Sequence, residues 1–132
     1  MEKNVVLYQD AFNSVIQKLE ANDAVLGVMV FGSMVTGDLW EESDIDLILI
    51  LDKYSDLMKD IYVSEHDVPF HIKLIGKNKF IEIYGRNSRG DFNHRIFASS
   101  RLVFSKDQKI TSVYDNGKYY PDMDRGRWNL VY

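Results

Sequence analysis

Hydrophobic residues follow two different periods in the first part of the chain. Over residues 8–21 they recur every three or four positions, which predicts an amphipathic helix. Residues 25–31 instead form a nearly unbroken apolar run rich in valine, and residues 44–51 form a second such run. Runs of this kind are typical of strands that are buried on both faces of a sheet.

The rest of the chain alternates strand and helix patterns over short connections. Strands are predicted at residues 61–65, 70–75 and 101–105, and helices at residues 77–86 and 91–100. From Lys106 onward the pattern predicts no element. The alternation indicates an α+β fold of the α/β-like sandwich kind, in which a mixed β-sheet is flanked by helices.

Composition narrows the class of protein. A chain of 132 residues with 45% hydrophobic and 27% charged residues is ordinary for a soluble globular domain and excludes a disordered tail. No apolar run approaches the roughly 20 residues that cross a bilayer. The absence of cysteine excludes disulfides and thiolate zinc sites. Because the start also lacks the pattern of a secretory signal, we expect a cytoplasmic protein that does not engage a membrane.

Charge is distributed unevenly along the chain. The net charge of −4 argues against sequence-independent binding of nucleic acid, which normally needs a basic surface. Residues 1–67 carry 14 acids and 4 bases, whereas residues 68–132 carry 6 acids and 12 bases. The halves either present solvated faces that differ by chance, or they place an acidic metal-binding region beside a basic region that faces phosphates.

The stretch with candidate chemistry joins the two apolar runs. Asp44 and Asp46 project side by side if they lie on a strand, because residues two apart share a face. Carboxylate oxygens suit Mg²⁺ or Mn²⁺, and such a pair can hold ions that bracket a phosphorus atom during displacement. Gly32 lets the backbone approach a phosphate, to which the Ser33 hydroxyl can donate. The alternative to a metal site is that Asp44 and Asp46 are two solvated aspartates at the start of a strand.

The combination of these features resembles a known signature. Gly32-Ser33 after an apolar strand, a second glycine at Gly37, and Ser43 before the acidic pair resemble the DNA polymerase beta-like nucleotidyltransferase superfamily. The segment resembles in particular the small bacterial and aminoglycoside-nucleotidyltransferase-type members. The resemblance covers about residues 25–51. It implies a mixed sheet flanked by helices and the transfer of a nucleoside monophosphate from an NTP to an acceptor hydroxyl.

The same resemblance assigns roles to individual residues. It implies that Gly32 and Ser33 hold the β- and γ-phosphates of the NTP, and that Asp44 and Asp46 bind the catalytic Mg²⁺ (or Mn²⁺) ions. We expect Lys73 to point into the same cleft and to neutralise the triphosphate.

One position departs from the family pattern. The family usually carries a third carboxylate on a later strand, and the expected place here is residues 70–75, where His71 and Lys73 share one face. Three explanations are open. His71 replaces the acid as general base, a task that suits an imidazole; Asp67 reaches the site; or the domain binds nucleotide without chemistry.

The resemblance divides the chain into a nucleotidyltransferase domain at 1–105 and a C-terminal extension at 106–132. Larger relatives carry a helical domain after this point, so the extension is either the start of such a domain or an oligomer contact. Two functions follow. The first is a Mg²⁺-dependent nucleotidyltransferase whose acceptor hydroxyl belongs to a small molecule or a protein. The second is a catalytically degenerate nucleotide-binding or antitoxin-like module that works through a helical protein partner.

Overall fold

Five strands form one mixed sheet in the computed structural model, which describes residues 2–32, 44–53, 58–85 and 99–115 and the side chains from residue 5 onward. The elements in chain order are α1 (Glu2–Glu20), β1 (Val25–Phe31), β2 (Ile45–Leu51), β3 (Lys59–Glu65), β4 (Val68–Gly76), α2 (Lys77–Tyr84), β5 (Ser100–Ser105) and α3 (residues 108–115). The strand order across the sheet is β3-β4-β2-β1-β5, with β2 parallel to β4 and the other neighbours antiparallel. This arrangement confirms the predicted α+β fold with a mixed sheet.

The helix α1 covers one face of the sheet. It begins at Glu2, earlier than the predicted residue 8, and its apolar stripe packs against alternate residues of the central strands. The buried residues on this side are Tyr8, Ala11, Phe12, Val15, Ile16, Val28, Val30, Ile45, Leu47, Leu49, Phe70 and Ile72, among others. Because β1 and β2 are also covered on their other face, β1 is apolar throughout and β2 is apolar except at Asp46.

Among the described residues, the helices α2 and α3 cover the second face at one end of the strands. Their core includes Met29, Ile48, Ile50, Ile75, Phe80, Tyr84, Ile110, Val113 and Tyr114. On β2, Ile48 and Ile50 point into this core, and Asp46 lies on the same face one pleat nearer the start of the strand. The polar residue therefore stands where the apolar cover ends.

The connection between β3 and β4 is tighter than the sequence pattern suggested. His66 and Asp67 form a two-residue turn in which both have positive φ (51° and 63°), the conformation that suits a hairpin of twisted strands. Glu65 consequently pairs with Val68, which the pattern had assigned to the connection. At its other end β3 begins at Lys59, before the predicted residue 61, and so includes Asp60.

The chain after β5 forms a helix that the sequence pattern did not predict. Asp107 caps it: its Oδ1 atom accepts hydrogen bonds from the backbone amides of Lys109 and Ile110 at 2.9 and 3.1 Å, as expected of an N-cap carboxylate. Its Oδ2 atom lies 2.7 Å from Nζ of Lys77, the first residue of α2. The cap therefore also ties together the two helices on this face.

Two helix predictions need correction or fall outside the structure. The helix α2 ends at Tyr84 rather than at residue 86, because the Gly85 amide already closes the last turn on Ile81. The predicted helix at 91–100 lies outside the described residues except at its end, where it is wrong: Ser100 is in β5 and pairs with Phe31. Within the ranges that the structure describes, no helix is long and apolar enough to cross a membrane.

Candidate active site

A single row of paired residues crosses four strands at the open end of the second face. Phe31 of β1 pairs with Asp46 of β2, Asp46 pairs with His71 of β4, and His71 pairs with Tyr62 of β3. Side chains at paired positions of neighbouring strands lie next to each other on the same face of the sheet. The pairing of β2 with β4 thus brings an imidazole beside the second aspartate of the motif.

Asp46 has different neighbours at its two carboxylate oxygens. Its Oδ1 atom lies 3.3 Å from Nδ1 of His71. Its Oδ2 atom faces Gly32, where an added Cβ would be only 3.2 Å away. Gly32 also has φ of +67°, a conformation that glycine adopts without the steric cost of a side chain. Both the backbone angle and the close approach of the carboxylate therefore require glycine at the end of β1.

The imidazole of His71 is held on several sides. Its Nε2 atom lies 2.9 Å from Oδ1 of Asp60 on the edge strand β3, so each ring nitrogen faces a carboxylate. The Tyr62 ring stacks on the imidazole with centroids 4.7 Å apart and planes 7° apart. These contacts define both the plane and the rotation of the ring.

Asp60 also contacts the lysine two residues along β4. Nζ of Lys73 lies 3.1 Å from the same Oδ1 atom. Hydrogen bonds from His71 and then Lys73 hold the pKa of the Asp60 carboxyl below its ordinary value of 3.8. Asp60 is the residue of this site that the sequence analysis missed. The sequence does indicate it: Asp60, Tyr62 and Ser64 occupy alternate positions of β3 and so share a face. Because the predicted strand began at residue 61, Asp60 was not included in that face.

A cleft of about 430 Å³ lies beside Asp46, His71 and Lys73. Its lining residues are Phe31, Gly32, Asp46, Leu47, Ile48, His71, Lys73 and Tyr84. The side chains of Asp46, His71 and Lys73 are 28–44% exposed, so all three are accessible from solvent. Tyr84 is buried, and burial raises the pKa of its hydroxyl, so this part of the wall is neutral at neutral pH. The cleft thus offers charged groups beside an apolar wall, as ligand sites commonly do.

The structure brings together four of the predicted site residues, namely Gly32, Asp46, His71 and Lys73. Asp44 is exposed and directly precedes β2. Ser33 lies outside the described residues, as do the predicted glycine and serine positions between the two strands.

Asp67, the alternative third carboxylate, and the nearby Glu65 are both placed elsewhere. Asp67 lies in the exposed turn between β3 and β4. Glu65 lies on the α1 side, where it accepts hydrogen bonds from Lys18 at 2.7 Å and from Ser14. These two donors, Lys18 first, lower the pKa of Glu65. The group that contacts Asp46 from β4 is therefore the His71 ring.

The described residues include no cluster of three His, Asp or Glu side chains that could hold a metal ion. Mg²⁺ does not require one, because it is commonly bound by one or two carboxylates and completed by water and substrate phosphates. The Asp46 carboxylate is 44% exposed and lies against a glycine whose missing Cβ leaves room beside Oδ2. An accessible oxygen ligand in an open cleft fits Mg²⁺ or Mn²⁺.

Comparisons with known proteins show the family and agree with the fold. Residues 13–109 match the family described as polymerase beta, nucleotidyltransferase. The chain therefore belongs to the polymerase beta nucleotidyltransferase family. Its fold is similar to that of a nucleotidyltransferase-like protein from Exiguobacterium sibiricum 255-15, with a TM-score of 0.57 and 13% identity. That match covers 89% of this chain and 41% of the other, so this chain spans less than half of that structure. A search of curated proteins found no match.

Proposed function

We propose that the protein is a Mg²⁺-dependent nucleotidyltransferase that moves a nucleoside monophosphate from an NTP to an acceptor hydroxyl on a small molecule or a protein. The observation that carries the proposal is the position of Asp46. Its carboxylate lies between the backbone of Gly32 and the ring of His71, at the mouth of an open cleft. Membership in the nucleotidyltransferase family supports nucleotidyl transfer in general.

In this proposal, different residues of the site bind the phosphates and the metal ion. Gly32 and Ser33 would bind the β- and γ-phosphates at the end of β1, and Asp44 and Asp46 would hold Mg²⁺. When bound there, the ion would neutralise phosphate charge as the transition state forms. Lys73, which lines the same cleft, would attract the triphosphate. Catalysis by this chain would come mainly from positioning and charge neutralisation.

The transfer step exchanges one P–O bond for another. The acceptor oxygen forms a bond to the α-phosphorus, and the bond from that phosphorus to the bridging oxygen of the β-phosphate breaks. Pyrophosphate leaves with the electron pair of the broken bond. The proton of the acceptor hydroxyl passes to His71, which stands beside Asp46 and belongs to the residue type most used for such transfers. It is then released to solvent.

Nucleotide binding tests the first half of this proposal. Thermal unfolding would be followed with each of the four NTPs, with and without Mg²⁺, for the wild type and for Asp46→Asn. A nucleotide at about 100 times its Kd stabilises the folded state by about 2.7 kcal/mol, which raises Tm by several degrees. Asp10→Asn, which removes the same charge from an exposed position on α1, is the matched control. A Tm shift that Asp46→Asn retains in full would contradict the assignment.

A second function has one specific observation in its favour. The β4 residue that pairs with Asp46 is His71 rather than a carboxylate. We therefore keep as a second proposal a module that binds nucleotide without chemistry and works through a helical protein partner. The two proposals separate on turnover: the module would show the Mg²⁺-dependent Tm shift but release no pyrophosphate under any condition in which a transferase does.

A further inference from the structure

We infer that Asp60 is a positioning residue of this site, which fixes the His71 ring and the Lys73 ammonium from the edge strand β3. The inference rests on the proposed function for its effect on catalysis, but its geometric part stands on contacts within this chain. Asp60 lies outside the sequence motif. It also lies before residue 61, where the sequence pattern predicted the start of β3.

One oxygen of Asp60 serves two basic side chains. Oδ1 lies 2.9 Å from Nε2 of His71 and 3.1 Å from Nζ of Lys73. These two residues occupy alternate positions of β4 and so share a face, and Asp60 pairs directly with Lys73 across the two strands. The lowered pKa of the Asp60 carboxyl agrees with an anion that both groups hold. A single carboxylate thereby orders two flexible side chains.

The contacts of His71 assign different tasks to its two nitrogens. The contact of Nε2 with Asp60 is shorter than the contact of Nδ1 with Asp46, 2.9 against 3.3 Å. We infer that Nε2–H donates to Asp60, so that Nδ1 carries the lone pair of the ring, faces Asp46 without donating to it, and is the nitrogen that would accept the proton in the proposed transfer. An imidazole is commonly fixed in one tautomer and orientation by a carboxylate on its far nitrogen. Tyr62 holds the ring plane by stacking.

Asp60 stands on the far side of the ring from Asp46. His71 lies between the two carboxylates, with one nitrogen toward each. Asp60 is not among the described residues that line the cleft, so it acts through His71 and Lys73. Loss of such a partner typically costs about 10- to 100-fold in activity, because the ring and the ammonium are no longer held in the productive geometry.

The test combines a spectroscopic and a kinetic measurement on the full chain. The variants are Asp60→Ala, which removes the acceptor, and Asp60→Asn, which keeps a neutral acceptor oxygen and guards against a fold defect. Asp10→Ala on α1 is the matched control. The ring nitrogens and ring protons of His71 would be followed by ¹H–¹⁵N NMR. The wild type is expected to show a single tautomer with the proton on Nε2, and Asp60→Ala a mixture of tautomers.

The kinetic expectation is a split between turnover and binding. In Asp60→Ala, kcat for nucleotidyl transfer falls about 10- to 100-fold, while the Kd of the NTP measured by calorimetry rises by no more than about threefold, because Lys73 keeps its charge and loses only its fixed position. Asp60→Asn recovers part of the kcat loss and most of the Nε2–H signal. A merely structural role would instead lower Tm and weaken NTP binding together.

The inference fails if Asp60→Ala leaves the His71 tautomer and kcat as in the wild type, or if NTP affinity falls in parallel with kcat. Failure of the proposed function looks different. In that case the wild type itself transfers no nucleotide to any acceptor, and the NMR result alone decides whether Asp60 positions His71.

Discussion

The Oδ2 atom of Asp46 faces the backbone of Gly32 so closely that a Cβ at residue 32 would lie 3.2 Å from it. Gly32 directly follows β1 and Asp46 is the second residue of β2. The two strands run antiparallel, with Phe31 and Asp46 as paired positions. The pairing of these two buried strands therefore places the Asp46 carboxylate, a group that can bind a metal ion, next to the backbone of Gly32, which can approach a phosphate. This relationship is the structural core of the proposed nucleotide site.

The substitution Gly32→Ala tests this relationship. We expect a loss of about 1–2 kcal/mol in the free energy of unfolding, because an L-residue is strained at φ of +67°. We also expect the Mg²⁺-dependent NTP shift in Tm to disappear, because the methyl group intrudes beside Asp46. Urea unfolding and the thermal shift would measure the two effects. Gly27→Ala is the control, since its Cβ would meet its nearest atom at 3.4 Å and lies away from the cleft; equal NTP binding by both variants would refute the assignment.

The substitution His71→Ala separates binding from transfer. If His71 accepts the acceptor proton, kcat falls about 10²- to 10⁴-fold, the usual contribution of a general base. NTP affinity changes little because His71 has no assigned phosphate contact. Transfer rates and calorimetric Kd values check the two parts. His66→Asn is a suitable control because asparagine tolerates the positive φ of that exposed turn position. Unchanged turnover in His71→Ala would assign the proton transfer to another group.

The substitution Lys73→Met tests the source of triphosphate affinity. Methionine keeps the length of the stem and removes the charge, so NTP affinity is expected to fall about tenfold or more, in line with the loss of a charged hydrogen bond. Affinity for the corresponding monophosphate should fall less, because the ammonium is assigned to neutralising the charge of the triphosphate and a monophosphate carries less charge. Calorimetry with both nucleotides gives the comparison. Lys59→Met, at the exposed start of β3, is the control, and an equal loss for monophosphate and triphosphate would count against the assigned role.

Asp107 offers a test of stability as a function of pH. Hydrogen bonds from Lys77, and then from backbone amides, hold its pKa below the ordinary value of 3.8. A carboxyl with a lowered pKa in the folded state stabilises the fold above its unfolded pKa, and this contribution is lost as pH falls through the folded pKa. The advantage of the wild type over Asp107→Asn in the free energy of unfolding should therefore be complete at pH 7 and shrink below about pH 4.

Two variants of Asp107 distinguish the stabilisation that comes from its charge from the stabilisation that comes from its capping hydrogen bonds. Asp107→Ala removes both the ion pair and the N-cap, so it should cost about 1 kcal/mol more than Asp107→Asn, which retains a capping oxygen. Urea unfolding at pH 7 and at pH 3 gives both quantities. Equal free energies for the two variants at pH 7, or a wild-type advantage that grows toward pH 3, would contradict this account of the cap.

The sequence was sufficient where burial on both faces decides the pattern. The apolar runs at β1 and β2 predicted two central strands. The alternation in β4 also predicted that His71 and Lys73 share a face. These features follow from local periodicity, which a single sequence displays directly.

The sequence was insufficient where pairing between distant segments decides the site. Nothing local indicates that β2 and β4 run parallel with Asp46 opposite His71, because register depends on the whole sheet. Asp60 was missed because β3 is an edge strand whose exposed residues show little hydrophobic alternation. The helix α3 was missed because it is short and its cap is a single aspartate, so local patterning gave little signal.

Pyrophosphate release tests the central claim most directly. The protein would be incubated with Mg²⁺ and each α-³²P-labelled NTP, together with either the protein fraction or the small-molecule fraction of a cell lysate as acceptor source. The account predicts that one NTP yields pyrophosphate and a labelled acceptor in equal amounts, and that Asp46→Asn abolishes both while Asp10→Asn does not. Release no faster than that of Asp46→Asn, with every NTP and both fractions, would contradict the assignment of nucleotidyl transfer to this cleft.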